Sequence, residues 1–570
     1  MTGASDAHFS TLVRRGRRVE PIFHPTLRRT QEVIRRPEWV RRTGEAVAHR
    51  SSIGLLGLFG IMFSSCYGGG YGFEDTVGSA GPLVAIVVGL VMPWIWSLPT
   101  GLAVAELSTA VPSNSGVLMW VNAALPAFLS CMCVVSTIMI TFVGNATYPN
   151  LTAEYVTAFA DLDQNVEAMV KIGTITLCCF LNCVGIQLVG SASILVCVIA
   201  MLPFLILSFQ HIFTHGVDFT AVGHVEWSAI DWASFLSMVS WNYANLENCG
   251  AMVEEVSNPK KTMPRLMVPL MFSSYIAYLL PTVAGVSALG PHQDYSKWQA
   301  GRWPEIARVI SGDWLKYYLF GGAIISGLGF TITSLCCTSR LLAGMGTMEL
   351  FPRTISRIIG YYHPKLGTPV PAILFNSLVT MLFSVFFDFG NVVAFCQSLY
   401  CLRLVLIYAA VIKLRIDYPN LPRPYALPCN TVAAALALLP AAIFSIVASV
   451  ISSMVSLTIA IAFAMYLVVG VVVSLLYCHY VVPDGFQGVI VQCELSDSDD
   501  DNDAREDVND SHMQVNEGVF CSSGGRGKDL TDLPVLSHLN SPGANRRGCS
   551  PLEKSFEMEG KGSHPSHIAL

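Results

Sequence analysis

Glu74 and Asp75 follow Gly68-Gly69-Gly70-Tyr71-Gly72-Phe73 inside an otherwise apolar stretch. A third carboxylate, Glu247, sits in a second such stretch, Ser240-Trp241-Asn242-Tyr243-Ala244-Asn245-Leu246-Glu247-Asn248-Cys249-Gly250. A carboxylate at bilayer depth costs about 2.5–3.5 kcal/mol on insertion scales and persists beside a partner, a ligand or water. Glycines allow a helix to unwind there, and unwound backbone is tolerated at that depth only where it lines a buried or wet cavity. The chemistry on offer is cation binding. Carboxylates supply the charge, Trp241 and Tyr243 supply ring faces worth about 0.5–2 kcal/mol to an ammonium, and Asn245 supplies a carbonyl acceptor. Each acid also has a structural reading. Asp75 is equally suited to capping the second half of its helix, which leaves Glu74 the better ligand.

The elements that must position these groups are membrane helices. Of 570 residues 52% are hydrophobic and 13% charged, with 17 cysteines placed mainly in apolar runs. That composition excludes a soluble globular domain and reads the cysteines as small core residues. The net charge of −6 is segregated: Arg-rich residues 1–51 form one tail, and residues 481–570, with the run SDSDDDNDARED, form a polar acidic tail expected to be disordered. Between them, residues 52–480 divide into about twelve apolar spans. The first six run Ile53–Gly78, Leu83–Ala110, Val117–Tyr148, Ala168–Val189, Ala192–Phe213 and Ser234–Glu254. The rest run Leu266–Leu289, Leu315–Gly344, Val370–Phe387, Val392–Leu414, Thr431–Ile451 and Val455–Tyr480. Loops with Lys260, Lys261, Arg265, Arg353, Arg357, Lys365, Lys413, Arg415 and Arg423 share a side with the Arg-rich tail, so both termini are expected in the cytoplasm. The sequons at Asn145 and Asn150 then fall in an outside loop close to the membrane, and His211, His215 and His224 cluster around the outer loop after the fifth span. No cofactor, metal cluster, phosphate loop or nucleophile-base constellation is legible, which argues against an enzyme and against nucleic acid as a partner.

The first and sixth spans carry the two interruptions, as expected of a five-plus-five inverted repeat whose broken helices meet near the midplane. Further residues support that reading. Ala105-Glu106-Leu107 with Pro112-Ser113-Asn114-Ser115-Gly116, Glu254-Glu255-Val256-Ser257-Asn258-Pro259-Lys260-Lys261-Thr262-Met263-Pro264, Ser339-Arg340-Leu341-Leu342-Ala343 with Leu350-Phe351-Pro352, and Thr368-Pro369-Val370-Pro371 occur in order. Together they resemble the amino acid/polyamine/organocation permease superfamily over roughly Ser51 to Tyr480, with Ser115-Gly116 where a glycine pair is usual. Gly72-Phe73-Glu74-Asp75-Thr76-Val77 and Trp241-Asn242 with Glu247 are similar to the polyamine uptake branch. The resemblance implies an all-α, LeuT-like fold and a central site that includes Gly69, Gly70, Trp241 and Asn242. It also puts Tyr148, which shares a face with Asn145 at the outer end of the third helix, and Tyr400, which shares one with Gln397, beside the cavity, where each either closes over a ligand or merely packs.

Two acidic poles with aromatic walls suit a diamine of the putrescine or cadaverine kind, and spermidine as a longer candidate. Glu247 is one pole, Glu74 or Asp75 the other, and Trp241, Tyr243 and Asn245 lie between. Glu106, Glu254, Glu255 and Arg340 are expected to form gate ion pairs at the cytoplasmic end. The expected mechanism is alternating access in the plasma membrane, driven by membrane potential, with protons as candidate co-substrates carried on Glu74, Asp75 or Glu247, since the fifth span lacks Lys and Arg. A cationic or neutral amino acid permease and a non-transporting nutrient sensor are the alternatives.

Overall fold

The computed structural model describes residues 53–160 and 163–480; the two tails lie outside the described residues. Those residues form helices and no β-strand, apart from one isolated parallel bridge between Ile53 and Val256. Nine of the described helices are long and apolar enough to cross a membrane, and two shorter apolar ones, Leu55–Cys66 and Val370–Phe386, accompany them.

The first span is broken where the glycines stand. α1 covers Leu55–Cys66 and α2 covers Glu74–Ala80. Gly68 and Gly72 take φ values of +55° and +85°, which an L side chain rarely adopts. A Cβ at Gly68 would also lie 2.2 Å from the Phe330 ring, and one at Gly72 would lie 2.7 Å from Trp241. The second glycine therefore lets one break touch the other. Next come α3 (Pro82–Ala110), α4 (Val117–Ala124) and α5 (Ala127–Ala160). The expected third span, Val117–Tyr148, is thus two elements, separated at Leu125 and Pro126 because proline cannot continue the first helix and can start the second.

α6 (Gln164–Val184) and α7 (Ile186–His215) meet at Gly185, several residues before the expected join. α8 (Trp232–Asn242) stops at Tyr243, Asn245 turns left-handed at φ +73°, and a 3-10 segment, Leu246–Glu255, carries on. The expected sixth span is thereby confirmed as interrupted. α9 (Pro259–Leu289) contains a π turn at Tyr275–Leu279. Then follow α10 (Trp303–Ser311), α11 (Asp313–Thr347), α12 (Val370–Phe386), α13 (Phe389–Asp417), α14 (Thr431–Ser452) and α15 (Leu457–Tyr480).

Burial ranks these elements. The most apolar windows of α11 and α13 are 72% and 67% buried, whereas that of α15 is 22% buried. α11 and α13 therefore lie at the centre of the bundle with α5 packed against both, and α15 presents most of its apolar surface outward.

Candidate functional site

The second break, through Trp241, Asn245 and Asn248, lines a small cavity of about 20 Å³, room for roughly one water molecule. Its wall includes Asn145, Tyr148, Trp241, Asn245, Gln397, Tyr400 and Arg403. Asn245 organises it. The left-handed turn points its backbone N–H at the Tyr400 hydroxyl (2.8 Å), and its side-chain amide donates to the Tyr148 hydroxyl (2.9 Å) and the Ser65 carbonyl (3.3 Å). One residue thus ties the end of α1 to α5 and α13. The Tyr148 ring stacks on Phe330 at 5.2 Å, and Trp241 stands 6.1–6.2 Å from both rings.

Glu247 is buried and already partnered. Arg403 donates to its Oε1, and the Tyr400 hydroxyl donates to its Oε2 at 2.7 Å. The same guanidinium lies 5.4 Å from the Tyr400 ring centroid, a second attraction that holds it in place. The acid expected as one ammonium pole thus carries a resident cation, Arg403, in this structure. Glu74 differs. It is fully buried, the Tyr155 hydroxyl donates to its Oε1, and the Gly72 N–H donates to its Oε2 at 2.8 Å. Both of these partners are uncharged. Asp75 makes no side-chain cap on α2, and its Oδ2 is buried without a partner.

Several expected contacts lie elsewhere. Gly69 and Gly70 are outside the cavity wall, since a Cβ on Gly70 would meet Phe204 at 2.9 Å, and the Gly70 carbonyl accepts from the Trp303 indole. The Tyr243 hydroxyl points away, donating to the Gly89 carbonyl of α3 at 3.0 Å. Asn242 bridges the halves, donating to Thr76 Oγ1 at 3.1 Å. Tyr148 lies well inside α5 and not at its end, because that helix runs on to Ala160. Asn145 and Asn150 are buried in the same helix, 1% exposed, which corrects the loop placement of the two sequons and removes them as glycan acceptors. His211 is likewise within α7, buried and stacked on His215.

The four expected gate residues separate into different contacts. Arg340 donates to both oxygens of Glu255, at 2.9 and 3.1 Å, with both side chains buried. Glu254 accepts from the Asn114 backbone N–H at 2.8 Å. Glu106 does not meet Arg340 or a lysine. It takes two bonds from Arg415 (2.8 and 2.6 Å), one from the Leu427 N–H (2.9 Å), and lies 3.4 Å from Arg423, so it fastens the segment after α13 to the end of α3. Glu106→Gln removes the acceptor charge and leaves Arg415 with half a partner. The variant is expected to lose about 2 kcal/mol of stability, read as a melting temperature lowered by several degrees in detergent.

Residues that sequence reading passed over complete the site. Arg403 and Tyr155 supply the partners of two expected acids, and Tyr278 of α9 sets its hydroxyl 3.0–3.4 Å from the carbonyls of Cys66, Tyr67 and Asn242, touching both breaks at once. Asn145 accepts from Ser334 at 2.5 Å and donates to Thr338 at 2.9 Å, joining α5 to α11 through a buried polar cluster that includes Asn376.

Known proteins resemble this chain in sequence. A family model described as amino acid permease matches residues 53–476. The polyamine transporter RMV1 of Arabidopsis thaliana is 29% identical over 393 residues, 69% of this chain and 79% of that protein. The polyamine transporter PUT1 of Oryza sativa subsp. japonica is 29% identical over 404 residues, 70% and 73% of the two chains. The glutamate/serine transporter AimA of Bacillus subtilis (strain 168) is 27% identical over 237 residues, 40% and 43%. The family match runs from two residues before α1 into α15 and so takes in every helix that builds the cavity, and the chain belongs to the amino acid permease family, a family of transporters and not of enzymes.

Proposed function

We propose that this protein imports a small organic dication, a diamine such as putrescine or cadaverine, with spermidine as a longer substrate. The observation that carries this reading is the charge count at the breaks. Three carboxylates, Glu74, Asp75 and Glu247, stand there, and the one guanidinium seen among them, Arg403, offsets only Glu247. The acids exceed the guanidinium by two charges, the number a ligand with two positive ends supplies; in the proposed cycle one ammonium takes the place of Arg403 at Glu247 and the other goes to Glu74 or Asp75. The Gly72 amide, which would suit an amino acid's carboxylate, is occupied by the protein's own Glu74. The relatives named as polyamine transporters support the same substrate class.

A cavity with room for one water has to enlarge before a diamine enters, which supports alternating access. The reading extends to twelve crossings, with the broken spans and α12 added to the nine long helices, related by an inverted repeat, and to cytoplasmic termini in the plasma membrane. Arg340 and Glu255 act as a gate pair in this scheme. Membrane potential supplies about 2.3 kcal/mol per charge per 100 mV, so a dication gains about 4.6 kcal/mol without a coupled ion. Protons remain candidate co-substrates on the same acids. Uptake of radiolabelled putrescine into proteoliposomes, competed by spermidine, arginine and lysine, tests the proposal. We expect saturable putrescine uptake that grows with an inside-negative potential. Arginine uptake with no putrescine uptake would establish the amino acid alternative. Binding without uptake of either would point to a sensor.

A further inference from the structure

The stretch Ala300–Trp303, leading into α10, meets the first break away from the cavity. Trp303 is fully buried, and its indole Nε1, the only polar atom of the side chain, donates to the Gly70 carbonyl at 2.8 Å. Its ring stands edge-on to Phe204 at 5.2 Å, the same ring that leaves no space for a side chain at Gly70. Three residues earlier, the Ala300 backbone N–H faces the Asp75 carboxylate, and that of Gly301 faces the Tyr155 hydroxyl that serves Glu74. One short segment therefore holds a carbonyl of the break, faces Asp75 directly and reaches Glu74 through Tyr155.

We propose that Ala300–Trp303 is the catch of a lid over the first break, and that Trp303 is the positioning residue that keeps Gly68–Gly72 in the occluded form. Moving α2 away from α10 exchanges the Trp303 bond for water, so removing the indole N–H weakens the closed state and leaves the open one unaffected. A cation arriving on this face meets the unpartnered oxygen of Asp75 at the seam, where it competes with docking of the catch. The proposal rests on the transport reading, but its test needs no substrate.

Cys396 lines the cavity and reports on access to it. Full-length protein in membranes is treated with a positively charged methanethiosulfonate reagent on each face in turn, and modification of Cys396 is quantified by mass spectrometry. Trp303→Phe is expected to speed labelling from the α10 face about fivefold, the worth of one net hydrogen bond, and to leave the other face unchanged. An unchanged rate on both faces in a folded variant overturns the proposal. If Trp303→Phe does not reach the membrane, the pair Gly301→Cys and Ala158→Cys decides, since a Cβ at Gly301 would lie 2.7 Å from that of Ala158. Gly301 has φ +97°, so each single variant is measured first. Oxidising the pair to a disulfide should slow Cys396 labelling from the α10 face, and dithiothreitol should restore it. Labelling that proceeds at full rate through the cross-link also overturns the proposal.

Discussion

Diamine uptake is expected to fall at least 100-fold in Glu247→Gln. The carboxylate and the Arg403 guanidinium are both 3% exposed, so the substitution leaves a buried cation without its counter-ion. Breaking such a pair from one side costs about 3–5 kcal/mol, which corresponds to more than two orders of magnitude in any equilibrium that needs it intact. The double variant Glu247→Gln with Arg403→Gln removes both charges and should recover most of the lost stability, measured as melting temperature and surface abundance. It should not recover uptake, because in the proposed cycle an ammonium replaces Arg403 at Glu247 once the cavity enlarges. A double variant that transports with an unchanged KM would show that Glu247 serves only Arg403, and would remove it from the ligand site.

That pair also shows where sequence reading stops. The breaks were legible because glycines, amides and acids in an apolar run have few structural uses at membrane depth. Their mutual contact was legible from equivalent placement in the chain, and Gly72 against Trp241 realises it. The partner of Glu247 was not. Arg403 lies 156 positions away on a different helix, and only packing decides which buried acid a lone arginine meets. A signal did exist: an arginine within the apolar tenth span is as costly as a carboxylate and calls for a partner of opposite charge. Glu106 makes the complementary point, since its expected partner was Arg340 or a lysine and its actual partners, Arg415 and Arg423, lie near the chain segment that folds back over it.

Helix ends were the second source of error, and they propagated into the site. Ending the third span at Tyr148 left Tyr155 outside the membrane region, although α5 continues to Ala160, about three more turns, and delivers that hydroxyl to Glu74. Pro149 follows that boundary directly. In the bundle it is tolerated within the helix, as prolines are where neighbouring helices and side chains satisfy the freed backbone groups. The same extension buried both sequons. Tyr243 failed for a different reason: at the turn after α8, one residue of rotation separates a ring facing the cavity from one facing α3, and the left-handed Asn245 fixes that rotation.

Glu74→Gln separates charge from shape at the other pole. Glutamine can keep its carbonyl oxygen on the Gly72 N–H and turn its NH2 to the Tyr155 oxygen, which then accepts instead of donating, so the break should persist and the melting temperature should change little. What disappears is a negative charge worth about 4 kcal/mol to an ammonium at 4 Å in a medium of effective dielectric about 20. Part of that attraction is already lost to desolvation, so a rise in diamine KM of at least tenfold is the floor of the expectation. The discriminating measurement compares putrescine with butylamine, which has one ammonium, as competing inhibitors. If Glu74 receives the second ammonium, the variant weakens putrescine tenfold or more and leaves butylamine nearly unchanged, since the single charge of butylamine is already met at Glu247. Equal weakening of both would assign Glu74 to the break alone, holding Gly72 against Trp241 for a ligand it does not touch. The second pole would then fall to Asp75, whose free oxygen lies one residue further along α2.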